Sequence, residues 1–329
     1  MSRKIASQWI LVDTLSDQPK VCAVGDTVKN RTPLQSILRV GADAVRATEA
    51  ITAAVETGEP VLLPHNSRHV FCEPIQFADG QTHGVWLRIA HLTDPAPERN
   101  RAWAFRWYID KNKASVSKPL QEASNKTEWT IAEALEIIDL GEESTIALAT
   151  LLASKHGSIH HSTVLQTRPS GVAHAVDFIC MIRNEDGERI LRGISHDLGP
   201  AVPPRWEPRP RPLAAVVADG LINTGEYRAV FCLKTLKLIC WYGASPPSIA
   251  WRRNESGANR KILHPDDYKL ANELIQILSA GSNSGEGSSV RNKIRLLTVD
   301  GDYRPFNIRA TRVSMEGVSA GLAIISPTD

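Results

Sequence analysis

Asp79-Gly80-Gln81-Thr82-His83-Gly84-Val85-Trp86-Leu87-Arg88-Ile89 is a turn running into a strand. Asp-Gly is a preferred type I′ hairpin turn, because both central residues need φ > 0. Beyond it, Val85, Leu87 and Ile89 alternate with Trp86 and Arg88, the period-2 pattern of a half-buried strand. The layout returns at Asp186-Gly187 and Asp300-Gly301, 107 and then 114 residues further along. After the third pair, Phe306, Ile308 and Ala310 alternate with Asn307 and Arg309. Beside the second, Val176, Phe178, Cys180 and Ile182 belong to a run that is apolar on both faces, which predicts deeper cover.

A helical pattern that stops at glycine precedes each hairpin. Ala47, Ala50, Ile51, Ala54 and Val55 form the first stripe, with Gly58 as its C-cap. Thr130 and Glu133 form a capping-box pair ahead of Ile131, Ala134, Leu135 and Ile138, and a further helix with Leu148, Leu151 and Leu152 closes at Gly157. Pro265 and Asp266 start the third, with Leu270, Leu274, Ile277 and Leu278, ending near Gly281. Strand candidates come earlier still: Trp9–Leu15 with Lys20–Val24, Arg228–Leu233 with Lys237–Tyr242, and Ala104–Ile109 with an ill-defined second strand. The expected fold class is therefore α+β: three tandem units, each an antiparallel sheet with its helices on one face.

Length agrees, since 329 residues suit two or three domains of about 100–150 residues each. The stretch Asp94-Pro95-Ala96-Pro97-Glu98-Arg99-Asn100 reads as one linker. Gly199 to Pro212, rich in proline around Trp206, reads as a PPII-like spacer rather than an SH3-type ligand. The expected domains are 1–93, 101–199 and 213–329. With 38 basic and 36 acidic residues the net charge is +2, so no overall field draws in nucleic acid or an acidic membrane surface. The run Trp9 to Val12 ends at Asp13, too short for a signal peptide, and no run of about 18 apolar residues exists to insert in a membrane. Cys22, Cys72, Cys180, Cys232 and Cys240, without CxxC spacing, read as reduced thiols, and the expected location is cytoplasmic.

The third unit resembles a PAS domain. Ala229-Val230-Phe231-Cys232-Leu233 and Leu238-Ile239-Cys240-Trp241-Tyr242 precede His264-Pro265-Asp266-Asp267, which is similar to the HPDD step many PAS domains carry before their long helix. Physically this step is a folding signal, in which Pro265 presets φ and Asp266 or Asp267 caps free N–H groups. The first unit resembles a GAF domain through Val55-Glu56-Thr57-Gly58-Glu59-Pro60-Val61, Glu73-Pro74-Ile75 and Gly84-Val85-Trp86-Leu87. Over nearly its whole length, and best in Ile5–Leu15 and His264–Asp267, the chain resembles an actinobacterial family of sensor-domain-only proteins with one GAF-like and two PAS-like domains. The resemblance implies a signal-integrating protein or scaffold with no effector domain, acting through a signalling protein partner or a small-molecule ligand, and leaves room for a homodimer.

No catalytic residue, metal ligand or cofactor-binding residue follows from the sequence. Ile194-Ser195-His196-Asp197-Leu198 invites comparison with a kinase phosphoacceptor box, but it follows a strand and no nucleotide-binding loops come after it. Glu133-Ala134-Leu135 spells a phosphodiesterase motif without the carboxylates that would hold two metals. His160-His161 and the pair His65 and His69 read as exposed loop histidines, with no Cys or carboxylate cluster beside them. His174 and His264 are conceivable haem ligands whose simpler reading is sheet or turn residue. Gly281 to Ser289 reads as a flexible loop, not a phosphate cradle. Two other readings stand beside the sensor: an enzyme with an interdomain active site, for example a nucleotide-related signalling enzyme, and an adaptor whose cavities are filled by side chains.

Overall fold

The computed structural model describes residues 7–39, 41–117, 128–139, 144–153, 155–168, 170–202, 223–252, 261–280, 289–315 and 318–328. The spacer from residue 203 to 212, the loop at 281–288 and the opening Ile5-Ala6 lie outside them. The fold is α+β and dominated by antiparallel sheet. It divides into two compact units, one of residues 1–108, 115–128 and 155–206, the other of residues 109–114, 129–154 and 207–329.

The first unit holds two sheets. Strands β1 (Ile10–Asp13), β2 (Lys20–Val24), β3 (Thr27–Pro33), β4 (Val61–His65), β5 (Arg68–Gln76) and β6 (Thr82–Ala90) form the order β3-β2-β1-β6-β5-β4. Helix α1 (Leu34–Leu38) leads into α2 (Gly41–Thr57), which covers one face. Ala47, Ala50, Ile51 and Ala54 are buried there as the stripe predicts, and their small side chains let the helix sit close to the strands. Val55, expected in that stripe, is 39% exposed, because the small contact face needs no fifth residue. Gly58 adopts φ +70° and its N–H donates to the Ala54 carbonyl, ending the helix.

The second sheet begins with β7 (Ala102–Tyr108). Short segments β8 (Lys113–Val116), β9 (Glu128–Trp129) and β10 (Ile138–Asp139) follow; β10 and the helices α3 (Ile131–Glu136) and α4 (Ser144–Ala153) belong to the second unit. Its long strands β11 (Ile159–Thr167), β12 (Ala173–Glu185) and β13 (Glu188–Pro200) give the order β11-β12-β13-β7. This sheet packs face to face on the first: Trp9, Leu11, Cys22, Phe77 and Trp86 meet Ala104, Ile179, Met181 and Ile194. The half-buried reading of β6 is therefore corrected. All nine of its residues are buried, one face against α2 and the other against the second sheet. Helices on one face describes the N-terminal sheet only as far as that second covering.

The segment 94–100 is tied to its own unit rather than left as a free spacer. Arg88 donates to the carbonyls of Asp94 and Pro95 at 3.0 Å, and the Trp9 indole N–H donates to that of Pro97. The Arg99 guanidinium sits 4.3 Å from the Trp9 ring and pairs with Glu73.

In the second unit, β14 (Tyr227–Phe231), β15 (Leu238–Tyr242), β16 (Ser289–Leu297), β17 (Tyr303–Met315) and β18 (Val318–Pro327) run β15-β14-β18-β17-β16. A 3-10 turn at Pro265–Asp267 opens α5 (Tyr268–Ala280). The predicted cap differs in detail. His264 itself accepts from the Asp266 N–H at 3.2 Å, while Asp267 binds Arg295 of β16 through both backbone and guanidinium. Arg295 supplies stronger donors than the helix start does, and Asp267 is held below the ordinary carboxylate range chiefly by that hydrogen bond. The alternation after Asp300-Gly301 holds, with Phe306 and Ala310 buried and Asn307 and Arg309 exposed. Ile277 of the expected α5 stripe is 56% exposed, Leu278 closed off.

The hairpins separate into two kinds. At Asp186-Gly187 both residues have φ > 0, +49° and +79°, as a type I′ turn requires. At the other two sites only the glycine does, so the type I′ reading is corrected there. In Phe77–Gln81 the first N–H donates to the fifth carbonyl (2.9 Å) and the Gly80 N–H to the first (3.0 Å). Thr298–Asp302 repeats this at 2.8 and 2.9 Å, and Arg168–Val172 repeats it with Ser170 in place of the aspartate. Asp79 and Asp300 accept the N–H two residues on, which favours a longer loop with one left-handed glycine. A deeper regularity lies in strand order: each sheet pairs its first strand with its last, β1 with β6, β7 with β13, and β14 with β18.

Candidate ligand-binding cavity

The two helix-covered cores are filled differently. Beneath α2, Ile10, Val12, Val21, Val70, Val85 and Leu87 are fully enclosed. In the C-terminal unit, Phe231, Leu238, Trp241, Leu274, Ile294 and Ile308 pack against the core yet stay half-buried. Between them and α5 lies a cavity of about 910 Å³, within the range of small-molecule sites. Helix α5 faces the sheet with Leu274 and Leu278 where α2 offers alanines. Bulkier side chains hold a helix away from its sheet, and the described residues do not refill the gap.

The wall is apolar over most of its extent. The polar side chains of its lining include Lys111, Asn112, Thr130, Thr235, Lys237, Lys261 and Tyr268. Two of these also hold a helix. Thr130 caps α3 in the predicted capping box, accepting the Glu133 N–H at 3.1 Å while Glu133 accepts the Thr130 N–H at 2.6 Å. The Asn112 side chain accepts the Ile131 N–H at 3.2 Å. Helix α3 is thus tied to the cavity rim, and its Ala132 joins the same apolar cluster as Ile249 and Trp251. Trp251 meets Trp241 edge-on at 6.0 Å, and neither indole N–H has an acceptor among the described residues.

No histidine occurs among the described lining residues, so neither His174 nor His264 faces this cavity. His174 lies on β12 bonded to Asp197 at 2.8 Å, and His264 caps its turn edge-on to Tyr303, the sheet and turn roles expected. His196 of the Ser195-His196-Asp197 segment is 1% exposed inside the first unit, edge-on to Trp86 at 5.5 Å. Asp197 accepts from Arg168 and His174, so the segment is strand structure. Glu133 is occupied by capping.

The exposed-loop reading of the remaining histidines is corrected. His65 ends β4, is buried, and bonds Asp43 at 2.6 Å, with Arg68 on the same carboxylate at 2.9 Å. His160 is buried on β11 with its ring against Phe178, while His161 on the opposite face bonds Asp177 at 3.1 Å. Their partners are 16 to 22 residues away, too far to be read from local spacing. Among the described residues no group of three His, Cys, Asp or Glu side chains could hold a metal ion. No described helix is long and apolar enough to cross a membrane.

Residues 8–98 match the family described as Rv3651-like, N-terminal, and residues 211–329 match the Rv3651-like, C-terminal domain. The crystal structure of an uncharacterised protein from Mycobacterium tuberculosis aligns with a TM-score of 0.81 at 24% identity, covering 98% of this chain and 97% of that one. This likeness is one of fold. An RNA-binding light-oxygen-voltage receptor (TM-score 0.25, 10% identity, 69% of this chain, 95% of that one) overlaps too loosely to support an argument. The same holds for the periplasmic sensory domain of the Campylobacter jejuni chemoreceptor Tlp1 (0.20, 10%, 70% and 73%). No curated protein matches the chain.

Proposed function

We propose that this chain, which belongs to the Rv3651-like family, is a non-catalytic sensing module that binds an apolar small molecule in its C-terminal unit and reports occupancy to a protein partner. One observation carries the reading: a ring of half-buried apolar side chains around about 910 Å³ of space in one core, beside a closed core of the same general plan. Each such side chain keeps apolar surface that a ligand would cover, at roughly 25 cal/mol per Å². The threefold recurrence of a first strand beside a last strand supports a GAF-like and PAS-like composition. Thr130 and Asn112 give the mechanism its lever, because a ligand at the rim touches the residues that cap α3 and shifts the population in which that helix is held.

Native mass spectrometry of the full chain, paired with a thermal-shift screen of apolar metabolites, tests this. A retained molecule or a compound that raises the melting temperature is expected. An empty protein that no apolar compound stabilises overturns the reading. Turnover of nucleotides or cyclic dinucleotides by pure protein would overturn its non-catalytic part.

A further inference from the structure

The cavity's charge is one-sided. Its described lining holds Lys111, Lys237 and Lys261 and no aspartate or glutamate. Resting on the reading of this cavity as a ligand site, we propose that its ligand is an anionic amphiphile, a long apolar body carrying one acidic head group held at the rim by Lys237.

Lys237 is the half-buried member of the three. Its ammonium donates to the main-chain carbonyl of Asp110, a neutral partner, and no carboxylate among the described residues is bonded to it. Burial lowers its pKa, with the Asp110 charge acting the other way. An ammonium drawn partly out of water and hydrogen-bonded to a carbonyl gains from an added anion, since charge-assisted bonds are the stronger kind. The backbone fixes its place. The Leu236 N–H donates to the Cys232 carbonyl and the Cys232 N–H to that of Lys237, both at 2.9 Å, closing a tight loop. Leu236 is left at φ +59°, a conformation a bulky residue adopts rarely and one that concentrates at ligand-holding segments. Leu236 and Lys237 thereby both line the cavity, an apolar and a cationic group side by side.

The other two cations add to the field without closing the site. Lys261 lies 4.8 Å over the Tyr268 ring at the start of α5, and Lys111 is exposed. A cationic ligand would meet three like charges, and a neutral one would leave Lys237 as it is. An acid head with its chain along Phe231, Leu274, Ile294 and Ile308 satisfies both parts of the wall.

Calorimetric titration of the full chain with palmitate and with hexadecan-1-ol tests the assignment. Palmitate is expected to bind one to one and the alcohol about tenfold more weakly or worse. Lys237→Met is expected to bring palmitate down to the alcohol's affinity while leaving the alcohol unchanged, which also shows that the variant folds, and Lys237→Arg to keep the preference. Equal affinity of acid and alcohol, or an unaltered preference in Lys237→Met, overturns the head-group assignment and leaves the apolar cavity reading standing. If neither probe binds and native mass spectrometry finds the protein empty, both fail.

Discussion

Phe231 lies directly across from Gly321 in the C-terminal sheet, its ring standing where a Cβ on that glycine would be. Phe105 bears the same relation to Gly193 in the middle sheet, again between a first strand and a last. In both, a missing side chain is replaced by a cross-strand aromatic, which covers the bare backbone. The surroundings differ. At Gly193 the Ile179 carbonyl also blocks the site, 2.5 Å from where a Cβ would go, whereas at Gly321 the nearest obstacles are all atoms of the Phe231 ring. A backbone carbonyl cannot swing aside, but a ring beside a cavity can.

The two alanine substitutions should therefore separate. Gly193→Ala is expected to cost about 3 kcal/mol or more, and Gly321→Ala about 1 kcal/mol, as the ring moves into open space. Urea unfolding of the two variants measures the difference; equal costs would show that the cavity offers Phe231 no room. Gly321→Ala should also lower the affinity for any cavity ligand.

Acid should loosen the first unit through His83. Burial pushes its pKa down to about 4, with Arg106 and Arg192 acting in the same direction and the Gly193 carbonyl opposing. The Nδ1–H donates to that carbonyl at 3.0 Å while Nε2 is enclosed without a partner, so a second proton would have nowhere to bond. The unfolded chain takes its proton near 6.5, the folded one near 4, so stability is complete above pH 6.5 and falls as pH drops toward 4. The slope should approach 1.4 kcal/mol per pH unit in that window. Unfolding curves of wild type and His83→Asn across pH 4–7 check it, the variant losing this part of the slope.

Asp43 is a buried carboxylate shared by His65 and Arg68. Asp43→Ala leaves both without their acceptor in a partly dry site and should destabilise by about 3 kcal/mol. Asp43→Asn keeps an acceptor and should cost less. Melting temperatures of the two variants give the order.

Thiol chemistry should divide the cysteines. Cys22, Cys72 and Cys180 are buried and Cys240 is half-buried, and burial raises each of these thiols' pKa, to about 12 for Cys72, Cys180 and Cys240. A thiol reagent should leave these four unmodified in native protein and label all five cysteines in denaturant, as peptide mass spectrometry would show.

Elements with small apolar stripes or marked ends were legible in the sequence. The α2 stripe with Gly58, the Thr130–Glu133 box, and strands β2 and β15 all appear where periodicity places them. Strand β11 escaped because its buried face carries His160, Ser162, Val164 and Gln166, so inside and outside look equally polar. Strand β5 was legible only in part, through Glu73-Pro74-Ile75, because Pro74 and mixed charges blur its alternation. The cavity had no signature at all, since Leu274 and Ile308 are as apolar around a void as in a filled core. Lys111 lies more than 100 residues before Lys237 and Lys261, and only the fold brings the three into one lining.

The second unit draws on residues 109–114 and 129–154 as well as the C-terminal stretch, and the cavity rim is built partly from them. Heredity therefore handles this unit differently from a cassette. A recombination event near residue 211 would carry off the sheet and α5 without Asn112, Thr130 and Ala132, leaving an unwalled interior to be covered anew. A fragment that began there would expose apolar surface which the intact chain covers with its own middle stretch.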